Sequence, residues 1–343
     1  MRTGRPIVVT VLAFLPMISV LLSSGLSCRD RSQRHEVVLY CSVDQAIAEP
    51  VIAAFEKQTG IKVLARYDTE ASKTVGLVQR IRAEAGSPAA DVFWSGEVFH
   101  TIRLAREGLL VPYRFESVEN WPAGLADANG LWHGFALRAR VIGYNTNRVS
   151  TREAPKSLED VLDAKWKGRL VMASPAFGTT GGDVASWFAH YGPQRAREIL
   201  RRLKENNVRI VSGNSTAVRM VATGQTDICF TDTDDIYAGQ RNGWPVAMNF
   251  LDQNGEGVLA IPNTAAMVKD GPHLETARRL MQFLLSEEIE RLLVESDSHN
   301  SPVHEFVARE YPQYAISHAL NLDYGRIADS LPEAIQSAEE ILE

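Results

Sequence analysis

The sequence predicts an α/β protein of two lobes, and three observations predict it. Short apolar runs alternate with amphipathic helical stretches in βαβαβ order near the N-terminus, the alternation resumes after an irregular segment, and the length suits two cores. The chain has 343 residues, 45% of them hydrophobic and 23% charged, an ordinary globular composition for which roughly 100–200 residues per domain gives about two domains. That excludes a disordered tail protein and a disulfide-stapled miniprotein. The formal net charge is −6, and no run of five basic residues occurs. Both argue against nucleic acid as a partner, because phosphate binding needs a concentrated basic face.

The N-terminus reads as separate from the fold. Arg2 and Arg5 precede an apolar stretch from Ile7 to Leu22, broken only by Thr10, Pro16 and Ser19, and small residues follow at Ser23, Ser24, Gly25 and Ser27. This pattern predicts a secretory signal peptide over residues 1–27, and Pro16 argues against a straight spanning helix. Cys28 and a polar tether to His35 come next. Gly25-Leu26-Ser27-Cys28 resembles a bacterial lipoprotein processing site, although Leu lies two residues before the Cys rather than the usual three. It implies a protein held at a membrane surface by lipidated Cys28, with simple cleavage to a free periplasmic protein as the alternative. After Leu22 no apolar stretch is long enough to span a bilayer.

Val37-Val38-Leu39-Tyr40 predicts a buried strand, Glu49 to Thr59 a helix with Pro50 in its first turn and Gly60 at its end, and Lys62 to Arg66 a second strand. Thr74, Val78, Ile81 and Ala85 mark one face of a second helix, and Ala89 to Trp94 a third strand. A βαβαβ unit implies a parallel sheet with ligand access at the carboxyl ends of its strands. Val111 to His133 is irregular. Strands are then predicted at Val141–Tyr144, Leu170–Met172, Val208–Val211, Ile228–Phe230, Val246–Phe250 and Val258–Ile261, with helical periodicity from Leu274 onward. Cys41 and Cys229 each fall inside a strand-like run and suit buried small hydrophobes better than a disulfide, though an oxidising compartment leaves pairing open. No CxxC, HExxH or Cys/His cluster points to structural zinc.

Several runs, in order, resemble one family. Val37 to Ser42, Ala53 to Val63, Ala90 to Glu97, Ala105 to Leu110, Arg138 to Asn145 and Trp166 to Leu170 are similar to the ferric-iron-type extracellular solute-binding proteins of ABC importers. The resemblance covers nearly all of Glu36 to Glu343. It implies a two-lobed periplasmic-binding-protein fold with crossover strands forming a hinge that closes on a solute. The chain would leave the first lobe and return, giving lobe one as 36–135 plus 247–301 and lobe two as 136–246 plus 302–343, with crossovers in Arg138–Asn145 and Val246–Ile261. It also implies ABC permease transmembrane subunits as partners, a monomer, and no catalysis or catalytic cofactor. Ferric-binding members use adjacent tyrosines after the strand that ends here at Phe230. In this chain Asp234 and Asp235 stand there, leaving only Tyr237, and Asp44 stands near a His that some members use.

The candidate site follows from the strand ends. Asp232, Asp234 and Asp235 cluster after one strand, and clustered carboxylates repel unless a cation or donors relieve the charge. One of them would otherwise cap the following helix. Asp44 and Glu97 hold the analogous ends of two first-lobe strands, where an N-cap and a dipole-favoured first-turn role are the plain alternatives. Metal-ligating oxygens are therefore expected from Asp44, Glu97, Asp234, Asp235 and Tyr237. The Gly-rich loop containing Ser174, Thr179 and Thr180, and the turn at Asn214, precede helices and suit an anion, with Arg138 or Arg140 adding charge. Plain helix capping is the alternative for each loop. Tyr67 ends the second strand as a further ligand or rim aromatic, and Trp94 reads as core.

The reading is a solute-binding protein carrying ferric iron with an auxiliary anion or chelator. The alternatives are an organic solute such as an aminophosphonate, thiamine or polyamine, and, from another class, a hydrolase using a divalent metal on the Asp cluster. No GxSxG elbow, P-loop or dinucleotide fingerprint supports an enzyme.

Overall fold

The computed structural model describes residues 35–68, 74–114 and 121–342, together with Met1, Thr3 and Gly4. The leader beyond Gly4, Cys28 and the tether through Arg34 lie outside the described residues.

β1 (Glu36–Cys41) alternates Val37, Leu39 and Cys41 into one apolar core and Val38 and Tyr40 into another. A strand covered on both faces belongs in a parallel sheet, and β1 pairs in parallel with β2 (Lys62–Tyr67) and β3 (Val92–Ser95). Between them run α1 (Gln45–Thr59) and α2 (Val75–Ala83), and α3 (Phe99–Arg106) and β4 (Leu110–Val111) follow. α1 starts four residues earlier than the sequence predicts, because the Asp44 carbonyl already accepts from Ile47 and Ala48; Pro50 therefore lies inside the helix. Gly60 ends it as expected, at φ +68° with its N–H on the Glu56 carbonyl.

β5 (His133–Asn145) is much longer than the predicted Val141–Tyr144 and crosses between the lobes. After β5 the chain runs through α4 (Leu158–Val161), β6 (Leu170–Ala173), α5 (Gly178–Tyr191), α6 (Pro193–Glu205), β7 (Arg209–Val211), α7 (Asn214–Ala222), β8 (Ile228–Asp232), α8 (Thr233–Arg241) and β9 (Val246–Asn249). β10 (Ala260–Val268) begins where the predicted Val258–Ile261 strand was to end. Its nine residues are all buried, since it pairs with β3 and β4 on one side and β5 on the other. The early half of β5 thus belongs with β10, and the later half with β8 and β9. The strand order is β2-β1-β3-β10-β5-β8-β6-β7, with β4 on β10 and β9 on β5.

Helices α9 (Leu274–Leu284), α10 (Glu287–Glu295) and α11 (Glu305–Glu310) precede α12 (Tyr324–Leu342), which packs on α5 and α6 and reaches α3. One apolar core therefore runs from Phe93 and Phe99 through Leu331 to Trp187 and Leu200. At the seam, α5 and α3 touch so closely that a Cβ on Gly182 would lie 1.9 Å from the Phe99 ring. Cys41 and Cys229 are buried free thiols, and burial pushes the Cys41 thiol up to about 12. Among the described residues no helix is long and apolar enough to cross a membrane.

Candidate functional site

The carboxyl ends of β1, β3, β6, β7 and β8 converge on one cleft. Its first-lobe wall carries Ser42, Asp44, Thr74, Gly96 and Glu97, and its second-lobe wall carries Ser174, Thr179, Thr180, Asn214 and the Asp232–Asp235 turn; Arg138 reaches in from β5. Four helices, α1, α5, α7 and α8, begin beside it, at Asp44, Phe177, Gly213 and Asp232, and none of these residues makes a side-chain cap bond. The positive ends of those helices therefore point their backbone donors toward the cleft, the arrangement that suits an anion.

On the first-lobe wall Ser42 is a small hub. Its Oγ accepts from Gly96 N at 3.0 Å and from the Thr74 hydroxyl at 3.1 Å. Glu97 is buried and its Oε2 accepts from Phe99 N at 2.6 Å and His100 N at 3.2 Å, while Oε1 lies 3.2 Å from His100 Nδ1. The structure brings Glu97 to the wall but commits its oxygens to capping α3. A metal ion at Glu97 would have to share this carboxylate with the α3 amides.

On the opposite wall two arginines, two residues apart on β5, divide the acidic cluster. Arg140 donates through Nη1 to Asp232 Oδ1 at 2.7 Å and to Thr179 Oγ1 at 3.3 Å, and through Nε to Asp183 Oδ2 at 3.1 Å. Asp232 Oδ2 accepts from Thr179 Oγ1 at 2.6 Å and from Asn214 Nδ2 at 3.1 Å. Burial pushes the Asp232 carboxyl up, but Arg140 and Arg138 outweigh it and hold it below the usual range. Asp232 occupies the cap position of α8 without capping it, because its oxygens are spent on this network.

Arg138 donates through Nη1 to Asp234 Oδ2 at 2.7 Å and through Nη2 to the Gly96 carbonyl, joining the two walls. Asp234 differs from Asp232. Its buried Oδ1 has no hydrogen-bond partner, and burial outweighs Arg138 and lifts its carboxyl above the usual range. Asp235 Oδ2 accepts from Thr231 at 3.2 Å. Asp232, Asp234 and Asp235 offer one oxygen each within 4.8 Å of one another.

Of the residues expected from the sequence, Asp44, Glu97, Arg138, Ser174, Thr179, Thr180, Asn214, Asp232, Asp234 and Asp235 line this cleft, and Tyr67 and Tyr237 do not. Tyr67 stands opposite Cys41 at the end of β2, and its ring packs with the core under α1; burial, with Cys41 and Glu49 nearby, pushes its phenol up to about 12. Tyr237 is taken up edge-on by His299 and Tyr314, with ring centroids at 5.2 Å and 5.4 Å. Trp94 is core, as expected. Ser42, Thr74 and Phe177 were not anticipated as lining residues. Ser42 carried a signal, since it directly follows a predicted strand; Thr74, at φ +70°, carried none.

A family model described as bacterial extracellular solute-binding protein matches residues 87–326. Iron uptake protein A1 of Synechocystis sp. is 28% identical over 275 residues, covering 77% of this chain and 75% of that one. A Salmonella typhimurium protein provisionally named as a 2-aminoethylphosphonate-binding periplasmic protein is 30% identical over 241 residues, 68% of each chain. Among solved structures, iron-bound HitA of Pseudomonas aeruginosa superposes with a TM-score of 0.78 at 25% identity, covering 89% of this chain and 99% of that one.

Proposed function

The chain belongs to the bacterial extracellular solute-binding proteins, and from that premise we propose that it captures ferric iron with an auxiliary anion between its lobes and hands it to an ABC permease. The observation that carries this reading is the Asp232, Asp234 and Asp235 oxygen set, within 4.8 Å, facing helix starts that their own residues leave uncapped. A hard trivalent cation suits carboxylate oxygens, and the helix starts at Phe177 and Gly213 suit the anion that completes its shell. The names of iron uptake protein A1 and iron-bound HitA support the same cargo. The lobes would be 36–135 plus 247–301 and 136–246 plus 302–343, the protein a monomer, and Cys28 its lipid anchor.

Titration of the purified protein with ferric citrate tests the proposal, followed by tryptophan fluorescence. Saturable one-to-one quenching is expected, without the visible tyrosinate band, because among the described residues no tyrosine lines the cleft. No saturable response would overturn the iron reading.

One observation favours a second reading, an organic phosphonate or phosphate bearing an ammonium group. Arg138 already neutralises part of Asp234, so the acidic set is weaker than a bare tricarboxylate site, and a relative carries an aminophosphonate name. Saturation by 2-aminoethylphosphonate with no response to ferric citrate would select it.

A further inference from the structure

Arg138 stands where a bound cation would stand. It lies at the point where β5 changes partners, since Arg138 is paired with Ile261 of β10 and Arg140 with Asp232 of β8. From there its side chain enters the cleft, giving Nη1 to Asp234 Oδ2 at 2.7 Å and Nη2 to the Gly96 carbonyl. The facing wall is cut back to receive it, because a Cβ at Gly96 would lie 2.8 Å from Nη2.

Its hold is looser than that of its neighbour. The Arg140 side chain is 3% exposed and is gripped by Asp183, Asp232 and Thr179. Arg138 is 12% exposed, and its close partners are one carboxylate, Asp234, itself 16% exposed, and one neutral carbonyl. A cation entering the cleft competes for Asp234 and is repelled by the guanidinium until that group leaves. Exchange for a singly charged cation keeps the charge balance over Asp232, Asp234 and Asp235 as it was and gives up the Gly96 bond. A trivalent ion gains charge in the same exchange, with oxygens from all three carboxylates within 4.8 Å of one another.

We propose that Arg138 determines the specificity of the cleft, as an internal cation that occupies Asp234 in the unloaded protein, yields it to a multiply charged solute and excludes singly charged ones. This rests on the reading of the cleft as a cation site and adds the charge threshold that the site applies. Arg138 also lowers affinity. Where the guanidinium leaves Asp234 in about one molecule in ten, the apparent affinity is about tenfold below the intrinsic one.

The test uses the full chain and two variants, Arg138→Ala and Arg138→Gln, with N-ethylguanidinium as the probe that replaces the group Arg138→Ala deletes. In calorimetry ethylguanidinium should bind saturably to Arg138→Ala and not to the native protein. Ferric citrate should bind either variant roughly tenfold more tightly than the native protein, and ethylguanidinium should competitively undo the gain in Arg138→Ala. An arginine with a merely structural role gives the opposite result, weaker iron binding that ethylguanidinium improves. Unchanged or weaker ferric citrate binding by a folded variant overturns the proposal, as does saturable ethylguanidinium binding to the native protein. With no ferric citrate response in any of the proteins the iron reading falls, and ethylguanidinium alone decides: binding to Arg138→Ala only supports the threshold, and binding to both proteins or to neither overturns it. If Arg138→Ala does not fold, ferric citrate binding by Arg138→Gln decides.

Discussion

Arg138 and Arg140 sit two residues apart on the same strand and face the same acidic cluster, yet their surroundings differ. Arg140 is enclosed by Asp232, Asp183 and Thr179, and the carboxylate it shares with Arg138, Asp232, is further held by Asn214. Arg138 instead spans the cleft from Asp234 to the Gly96 carbonyl, and its partner keeps one buried oxygen unpaired. The difference teaches that a run of acidic residues is not one functional unit. Asp232 belongs to the scaffold that shapes the second-lobe wall, whereas Asp234 is the carboxylate with capacity left for a solute.

The largest expected effect breaks the scaffold half. Arg140→Met leaves Asp232 and Asp183 buried without their cation, and removing one partner of such a group costs about 3–5 kcal/mol. Urea unfolding should show that loss, while Arg138→Met, at the wetter cluster, should lose no more than about half as much. Equal losses would remove the distinction between the two arginines.

Next comes the seam that holds the lobes in this arrangement. Gly182→Ala would place a methyl group 1.9 Å from the buried Phe99 ring, so α3 and α5 must separate. Overpacking of this kind costs about 1–3 kcal/mol. Solute affinity should fall as well, because the two cleft walls hang on these helices, and an unchanged dissociation constant would mean that the seam does not govern closure.

How much of this was legible in the sequence depends on whether a feature is local. β1 could be read because both of its faces are buried, which leaves an uninterrupted apolar run, and Gly60 because a left-handed C-cap favours glycine. The start of α1 was misread because Pro50 is a common first-turn residue, and nothing local shows that the Asp44 carbonyl opens the helix earlier. The convergence of Asp44, Thr179, Thr180 and Asn214 followed from the rule that loops at strand carboxyl ends meet. The partners inside that cleft did not. Asp183 lies within α5 among small and apolar residues, and its pairing with Arg140 across 43 positions is set by the packing of α5 against β5. Glu97 could be placed at the wall, but its commitment to the α3 amides depends on backbone geometry that spacing does not encode.

A smaller effect sharpens the comparison on the other side. Asp234→Asn keeps a side chain of the same shape but removes the charge that has no full complement, so ferric citrate affinity should drop at least tenfold, about 1.4 kcal/mol. The urea midpoint should barely change. Undiminished affinity would take Asp234 out of the solute site.

The smallest effect is a separation in pH, because the two carboxylates are shifted in opposite directions. Asp234 is raised by burial despite Arg138, so the folded protein takes up that proton above the usual carboxylate range as pH falls, and cation affinity should weaken there first. Asp232 is lowered by Arg140 and Arg138 against burial. The stability it contributes is therefore present above its unfolded pKa of about 3.9 and is lost only as pH falls below that value toward its folded one. Titrating ferric citrate affinity and urea stability over the same acid range should give two displaced curves, affinity failing at the higher pH. In Asp234→Asn the remaining affinity should lose the upper step, while the lower stability step persists. Coincident curves in the native protein would mean that Asp232 and Asp234 act as a single titrating unit, and the division between scaffold and solute carboxylates would fall with them.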